Sequence, residues 1–310
     1  MIDSDKADFT IFVHVFYSDV WEEMRWEIEQ ALHQPFALVI SRPPTVAPVP
    51  LPNTPFLKFS HQFEAENRGR DILPFMKALH GQILPTPDIG LKLHTKRSPH
   101  RSDGADWRRF LCGSLLETDG EGVLLGQKLM AADHRIGLIA PRAHLMALDG
   151  RTAINDGAMS DMLAAFYDRD AIVDVEMPRF AAGSMFWFRR SALNLLLSEE
   201  VDTLFAAERG QLDGTAAHAL ERLFATIVEH QGFVSAAMEN AGPILNAPPS
   251  SLSESELKLL IDRTLVPDNP FSLPLRDFWR QSPRLLKLAH MVYAKMPKGA
   301  IRMVRAVIRR

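Results

Sequence analysis

Two stretches of this sequence gather charge where an apolar run ends. LKLHTKRSPHR places His94, Lys96, Arg97, Ser98, His100 and Arg101 around a single proline. ENRGRD places Asn67, Arg68, Gly69, Arg70 and Asp71 together in the same way. Guanidinium forks match the geometry of phosphate oxygens, and a lysine supplies a compact positive charge. Hydroxyls and imidazoles add further hydrogen-bond donors. The chemistry these types suit is capture of an anion, phosphate above all. A structural loop, and a tight turn with two solvated arginines, are the plainer readings of the same residues. Gly69 permits a positive backbone φ or a close approach to a ligand. His94 and His100 lie six residues apart, a spacing that matches no standard zinc pattern, so no metal ligands are assigned.

Two further stretches carry different chemistry. ERGQLDGTAAHALER concentrates Glu208, Asp213, His218, Glu221 and Arg222. Asp213 stands just before a helical pattern, where a carboxylate serves as a helix cap, as a general base for a hydroxyl, or as both. FAAGSMFWFRR offers Gly183 and Ser184, with Trp187 after them, as the border of an acceptor pocket. Its aromatics, Phe186, Trp187 and Phe188, suit a buried core equally well. The acidic pair Asp168 and Asp170 does not follow an apolar strand and is not assigned to a metal. The lone cysteine, Cys112, reads as a small buried hydrophobe within RRFLCGSLL.

These residues need elements to position them. FTIFVHVFY (9–17) is a β-rich run, and Asp19 then offers a cap to a helix with Trp21, Met24, Ile28 and Leu32 on one face. FALVI (36–40) is a continuous apolar run, as in a strand covered on both faces. FLKFSHQFEAEN is a third strand region, ILPFMKALHGQIL a helix, and IGLKL (89–93) a strand. WRRFLCGSLL continues as a helix, IGLIAP (136–141) as a strand, and FAAGSMFWFRR as one more strand. LDGTAAHALERLFATIVEHQG is a helix bounded by Gly214 and Gly232. This alternation predicts an α/β fold, a mostly parallel Rossmann-like sheet with helices on both faces. In such sheets ligands bind at the carboxyl ends of strands, which is where the polar clusters fall, Tyr17 included.

The chain has 310 residues, 46% hydrophobic and 24% charged, with a net charge of −3. That balance gives no basic field for nucleic acid. The single cysteine excludes a disulfide framework and fits the cytoplasm. MIDSDKADFT lacks an apolar core, so no signal peptide is expected, and no apolar run is long enough to span a membrane. A catalytic domain over 1–245 and a helical extension over 246–310 are expected. From Arg276 onward ten Lys/Arg residues face a single acid, Asp277, and Leu285, Leu288, Met291, Val292, Ile301, Val304 and Val307 recur among them at helical spacing. Such a basic amphipathic tail suits an anionic membrane surface, and a solvated helix packed on the domain is its alternative.

The motifs HVFYSDVWEE, ENRGRDILPF, LKLHTKRSPHRSDGADWRR, AAGSMFWFRRSAL and ERGQLDGTAAHALER, in this order over roughly residues 9 to 235, resemble the rhamnan synthesis protein F family of bacterial polysaccharide biosynthesis. The layout also resembles, more distantly, the GT-A glycosyltransferase fold. The resemblance implies transfer of a sugar, rhamnose from dTDP-rhamnose, to a hydroxyl of a lipid-linked cell-surface glycan or O-antigen, at the inner face of the bacterial plasma membrane. Asp213 would act as base, with Glu208 a competitor and His218 beside them, and inversion is the expected outcome. The donor side would be Tyr17, Asn67, Arg68, Gly69, Arg70, Asp71, His94, Lys96, Arg97, Ser98 and His100. The acceptor side would be Gly183, Ser184 and Trp187. In that fold the fourth strand ends in an acidic pair that binds Mg²⁺ or Mn²⁺ with the nucleotide-sugar. Here it ends in His94-Thr95-Lys96, so cationic side chains offer to neutralise the diphosphate instead. A sugar-phosphate transferase and a non-catalytic glycan-binding subunit are the alternatives.

Overall fold

The computed structural model of the chain describes residues 7–81, 87–95, 97, 104–148, 152, 154–167, 179–197, 199–207, 214–247 and 252–263, together with Leu285, Leu288, Met291 and Val292. The first half alternates as expected: β1 (Phe9–His14), α1 (Ser18–Ala31), β2 (Phe36–Arg42), β3 (Leu57–Glu64), α2 (Ile72–His80), β4 (Ile89–His94) and α3 (Gly104–Leu115). The second half adds α4 (Leu125–Ala132), β5 (Ile136–Ala140), β6 (Leu145–Ala147), α5 (Asp156–Phe166), β7 (Arg179–Ala181) and β8 (Phe186–Arg189). It closes with α6 (Ala216–His230), β9 (Val234–Ala237), α7 (Ala241–Asn246) and α8 (Glu254–Arg263).

Seven strands form one sheet in the order β3-β2-β1-β4-β8-β5-β9, and β6 pairs with β7 in a separate two-stranded ribbon. All pairings in the large sheet are parallel except those of β8, which runs antiparallel to β4 and β5. Both faces are covered, which is why the strands read as unbroken apolar runs. Phe9, Ile11 and Val13 of β1 pack on one face with Trp21, Met24 and Ile28 of α1 and with Leu111 and Leu115 of α3. Phe12, between them, points to the other face and meets Phe75 of α2 at 5.2 Å between ring centroids. The alternation is the period-two geometry of a strand. Leu257 and Ile261 of α8 join the first of these cores.

Two expectations change. FAAGSMFWFRR is not one strand: Gly183 and Ser184, with φ of 96° and 56°, break it into β7 and β8, which belong to different sheets. Asp19 does not cap α1, whose first residue Ser18 follows an extended Tyr17 without a side-chain cap; Asp19 sits in the first turn and pairs with Arg97.

The strand order positions the site. The chain runs from β1 outward through β2 and β3, then returns to place β4 on the other side of β1. The segments leaving the carboxyl ends of β1 and β4 therefore diverge and open a crevice between them. Thr95 stitches that crevice at its base. Its N–H donates to His14 O at 3.0 Å. Its Oγ1 accepts the N–H groups of Phe16 at 2.8 Å and Tyr17 at 3.0 Å.

Candidate functional site

The crevice is a cavity of about 400 Å³ lined by fifteen residues, from His14, Phe16 and Tyr17 at the end of β1 to Ala217, His218 and Glu221 on α6. Asn67, Arg70, Asp71 and Ile72 line it from the turn before α2, His94, Thr95 and Arg97 from the end of β4, and Gly183 and Ser184 from the turn between β7 and β8. Its size falls within the roughly 300–1,000 Å³ of small-molecule sites. Arg70 and Ser184 are the non-glycine residues of positive φ among those described, at 57° and 56°, and both line this cavity. Side chains held in that strained region cluster at ligand sites.

Beneath the cavity lies a buried charge. Lys92 is fully buried between Leu91 and Leu93, its ammonium 5.5 Å and 5.7 Å from the ring centroids of Phe75 and Phe186. It donates to Asp71 Oδ2, to Ser184 O at 2.7 Å and to Ser184 Oγ at 2.8 Å. Asp71 also faces His94 Nδ1 at 3.8 Å, while His94 Nε2 donates to Gly183 O at 2.8 Å. On the far side the Gly183 N–H donates to Glu221 Oε1 at 2.7 Å. One network thus runs from the ENRGRD turn, through β4, to the Gly183-Ser184 turn and α6. At the mouth the Arg97 guanidinium lies 4.6 Å from the centroid of the Tyr17 ring, and Phe16 meets Tyr17 edge-on at 4.9 Å.

The cavity therefore brings together Tyr17, Asn67, Arg70, Asp71, His94, Arg97, Gly183, Ser184 and His218. Arg68 departs. The positive φ of Gly69, 68°, turns the chain there, and Arg68 Nη1 donates instead to Asp202 O at 3.1 Å and Phe205 O at 3.2 Å. Gly69 is buried beneath Phe205, where a Cβ would collide with that ring and with Leu73. Trp187 does not border the cavity. It is fully buried on the α3 face of the sheet, with Nε1 donating to Leu115 O at 2.9 Å. Lys96, Ser98, His100, Glu208, Asp213 and the pair Asp168 and Asp170 lie outside the described residues. Sequence reading missed His14, Phe16 and Lys92; it named Thr95 as a further donor and Glu221 as one acid of its stretch, without giving Glu221 a role. Lys92 had a signal, since a lysine inside a continuous apolar strand needs a buried partner. Glu221 stands three residues after His218, on the same helical face, which is what brings it to the cavity beside His218.

The electrostatics are those of a dry, ionised pair under a wet rim. Burial alone would raise the Asp71 carboxyl, but the His94 and Lys92 charges outweigh it and hold Asp71 well below the usual carboxylate range. His14, whose Nδ1 shares a 2.9 Å hydrogen bond with Ser41 Oγ, is lowered to about 4, chiefly by burial. Burial also pushes the Cys112 thiol up to about 12, in keeping with an inert core residue. Among the described residues no three His, Cys, Asp or Glu side chains converge as metal ligands.

The His14 shift gives a signed expectation. Its imidazole titrates near 6.5 when unfolded and near 4 when folded. Between those values the unfolded chain binds the extra proton, so this stabilisation is complete above 6.5 and declines as pH falls toward 4. Asp71 stays ionised in the folded chain, and its own slope grows only as pH nears 3.8, where the unfolded carboxyl takes up its proton. Denaturant unfolding from about pH 7 to about pH 5 should show a steeper loss of stability in the native chain than in His14→Asn, by up to about 1.4 kcal/mol per pH unit. Equal slopes would remove this role from His14.

Over 184 residues the chain is 37% identical to the uncharacterized protein WxcX from two strains of Xanthomonas campestris pv. campestris. The aligned stretch is 59% of this chain and 26% of WxcX, so the chain spans about a quarter of the length of the curated relatives it matches. A family model, that of rhamnan synthesis protein F, matches residues 2–233, a range that contains every residue lining the cavity. The chain belongs to the rhamnan synthesis protein F family, a family of polysaccharide synthesis.

Proposed function

We propose that this protein is a glycosyltransferase that moves a sugar from a nucleotide donor to a hydroxyl of a growing cell-surface glycan. The observation that carries this reading is the cavity at the β1/β4 switch point, with aromatic and cationic side chains at its mouth. Phe16 and Tyr17 offer a stacking surface for a base. Arg70 and Arg97 offer donors to a diphosphate on the wall that His94 also lines, and the donor itself, by family resemblance, is dTDP-rhamnose. Positive charge fixed in place before the reaction stabilises the negative charge that develops on the leaving diphosphate. Lys96, Ser98 and His100 join them in this reading.

A resident divalent ion fits the described side chains poorly. Of the two carboxylates that line the cavity, Asp71 is engaged by Lys92, which leaves Glu221 without a second acid beside it. No step here is routed through a metal. Thermal unfolding against dTDP, UDP, GDP and CMP, with and without Mn²⁺, tests the reading. One diphosphate at about 100 times its Kd should stabilise by about 2.7 kcal/mol. That gain should vanish in Arg70→Ala. A response to none of the four, or one untouched by Arg70→Ala, would move the site elsewhere or favour a non-catalytic subunit. A gain that needs Mn²⁺ would reverse the metal-independent reading.

The same reading gives the C-terminal segment a partner. Leu285, Leu288, Met291 and Val292 are helical and each more than half exposed. They lie in a segment with ten Lys/Arg residues and one acid, after Arg276. Apolar residues exposed on a cationic segment suit an anionic bilayer surface, where the enzyme would sit beside a lipid-linked acceptor at the inner face of the plasma membrane. Among the described residues no helix is long and apolar enough to cross a membrane. The protein should float with phosphatidylglycerol vesicles and not with phosphatidylcholine ones, and Leu288→Glu with Met291→Glu should abolish flotation. Indifference to lipid charge, or to both substitutions, contradicts the assignment.

A further inference from the structure

Transfer to a hydroxyl needs a base, and the cavity holds several titratable groups. Most are engaged. Asp71 accepts from Lys92 and is held ionised, with its electron pairs turned toward a buried cation. His14 shares Nδ1 with Ser41 and is too weakly basic, at about 4, to hold a proton near neutrality. His94 donates Nε2–H to Gly183 O and turns Nδ1 toward Asp71. His218 shares Nδ1 with Thr215 Oγ1 at 2.8 Å. Glu221 differs from all of these. Its Oε1 accepts the Gly183 N–H at 2.7 Å, which fixes the carboxylate in orientation, and Oε2 has no partner among the described residues.

We propose that Glu221 is the general base of this site, an inference that rests on the glycosyltransferase reading above. In the step it serves, the acceptor O–H proton passes to Glu221 Oε2. The acceptor oxygen forms its bond to the anomeric carbon. The bond from that carbon to the diphosphate oxygen breaks, and its electron pair leaves with the nucleoside diphosphate. The carboxylate sits across the Gly183-Ser184 turn from His94 and Lys92, so proton removal and leaving-group stabilisation are held by two sides of one strained turn. A base of this kind contributes roughly 100- to 10,000-fold in rate.

The discriminating variant is Glu221→Gln, because its amide oxygen still accepts the Gly183 N–H. Release of nucleoside diphosphate from dTDP-rhamnose, UDP-glucose and GDP-mannose is measured on the full chain, with nucleotide Kd and Tm beside it. In Glu221→Gln the rate should fall about 100-fold or more while Kd and Tm stay at the native values. Asp213→Asn, at the acid singled out from sequence, is measured beside it. Native activity in Glu221→Gln overturns the inference, and so does its loss in Asp213→Asn alone. A Glu221→Gln protein with lowered Tm and weakened nucleotide binding also overturns it, since the carboxylate would then only hold the turn. If the native chain binds nucleotide but only the Glu221 result fails, the glycosyltransferase reading stands. If the native chain neither binds nucleotide nor releases it, that reading falls and takes this one with it.

Discussion

A lysine ammonium with no exposure to water sits in the middle of a parallel strand, and the rest of the site follows from what it requires. An unpaired charge there would be prohibitively costly, so Lys92 must find acceptors within the fold. It finds Asp71 on the turn before α2, and Ser184 on the turn between β7 and β8. Those two turns come from opposite sides of the crevice. The need to satisfy one cation therefore draws them together over the carboxyl end of β4. Buried pairs of this kind are weak contributors to net stability but strong constraints on geometry, because losing one partner strands the other. Asp71 in turn orients His94, and His94 holds the Gly183 carbonyl from the cavity side.

The strain in the site fits that picture. Arg70 and Ser184 occupy left-handed backbone at a cost of about 1–2 kcal/mol each. Each lies beside a member of the buried pair, Arg70 next to Asp71 in sequence and Ser184 on Lys92 itself. The pair holds conformations that their own side chains disfavour. What is gained is placement: Arg70 faces the cavity while its neighbour Arg68 bonds to the carbonyls of Asp202 and Phe205. A cationic wall is left on the β1/β4 side and a carboxylate, Glu221, on the α6 side.

Much of the fold was legible because parallel strands buried on both faces leave continuous apolar runs, as in FTIFVH and FALVI. After residue 135 the run IGLIAP still marked β5, but most other elements were harder. β9 and β6 are short, and the apolar residues of α4 and α5 are largely alanine and methionine, interrupted by glycine and polar residues. β8 could not be known as antiparallel, since direction comes from which strands it pairs with and leaves no mark in FWFR. Trp187 shows the sharper limit. A one-residue shift in strand parity moves a side chain to the other face, and only the observed turn at Gly183-Ser184 sets that parity. Arg68 and Arg70 are equivalent in sequence and separate only through the backbone rotation at Gly69. The anion-suited clusters were visible as residue types. The network that joins them was not, because its centre, Lys92, was read as part of an apolar strand.

The direct test of the buried pair is to remove both of its charges together and then measure nucleotide binding. In Lys92→Met with Asp71→Asn no buried ion is stranded, so the protein should fold with stability within about 2 kcal/mol of the native chain. Calorimetric titration with the nucleoside diphosphate that stabilises the native protein should then show affinity at least about tenfold weaker, as the two turns lose their common anchor. A double variant that folds and binds that nucleotide as tightly as the native chain would contradict the account, leaving Lys92 and Asp71 as a core filler with no part in shaping the site.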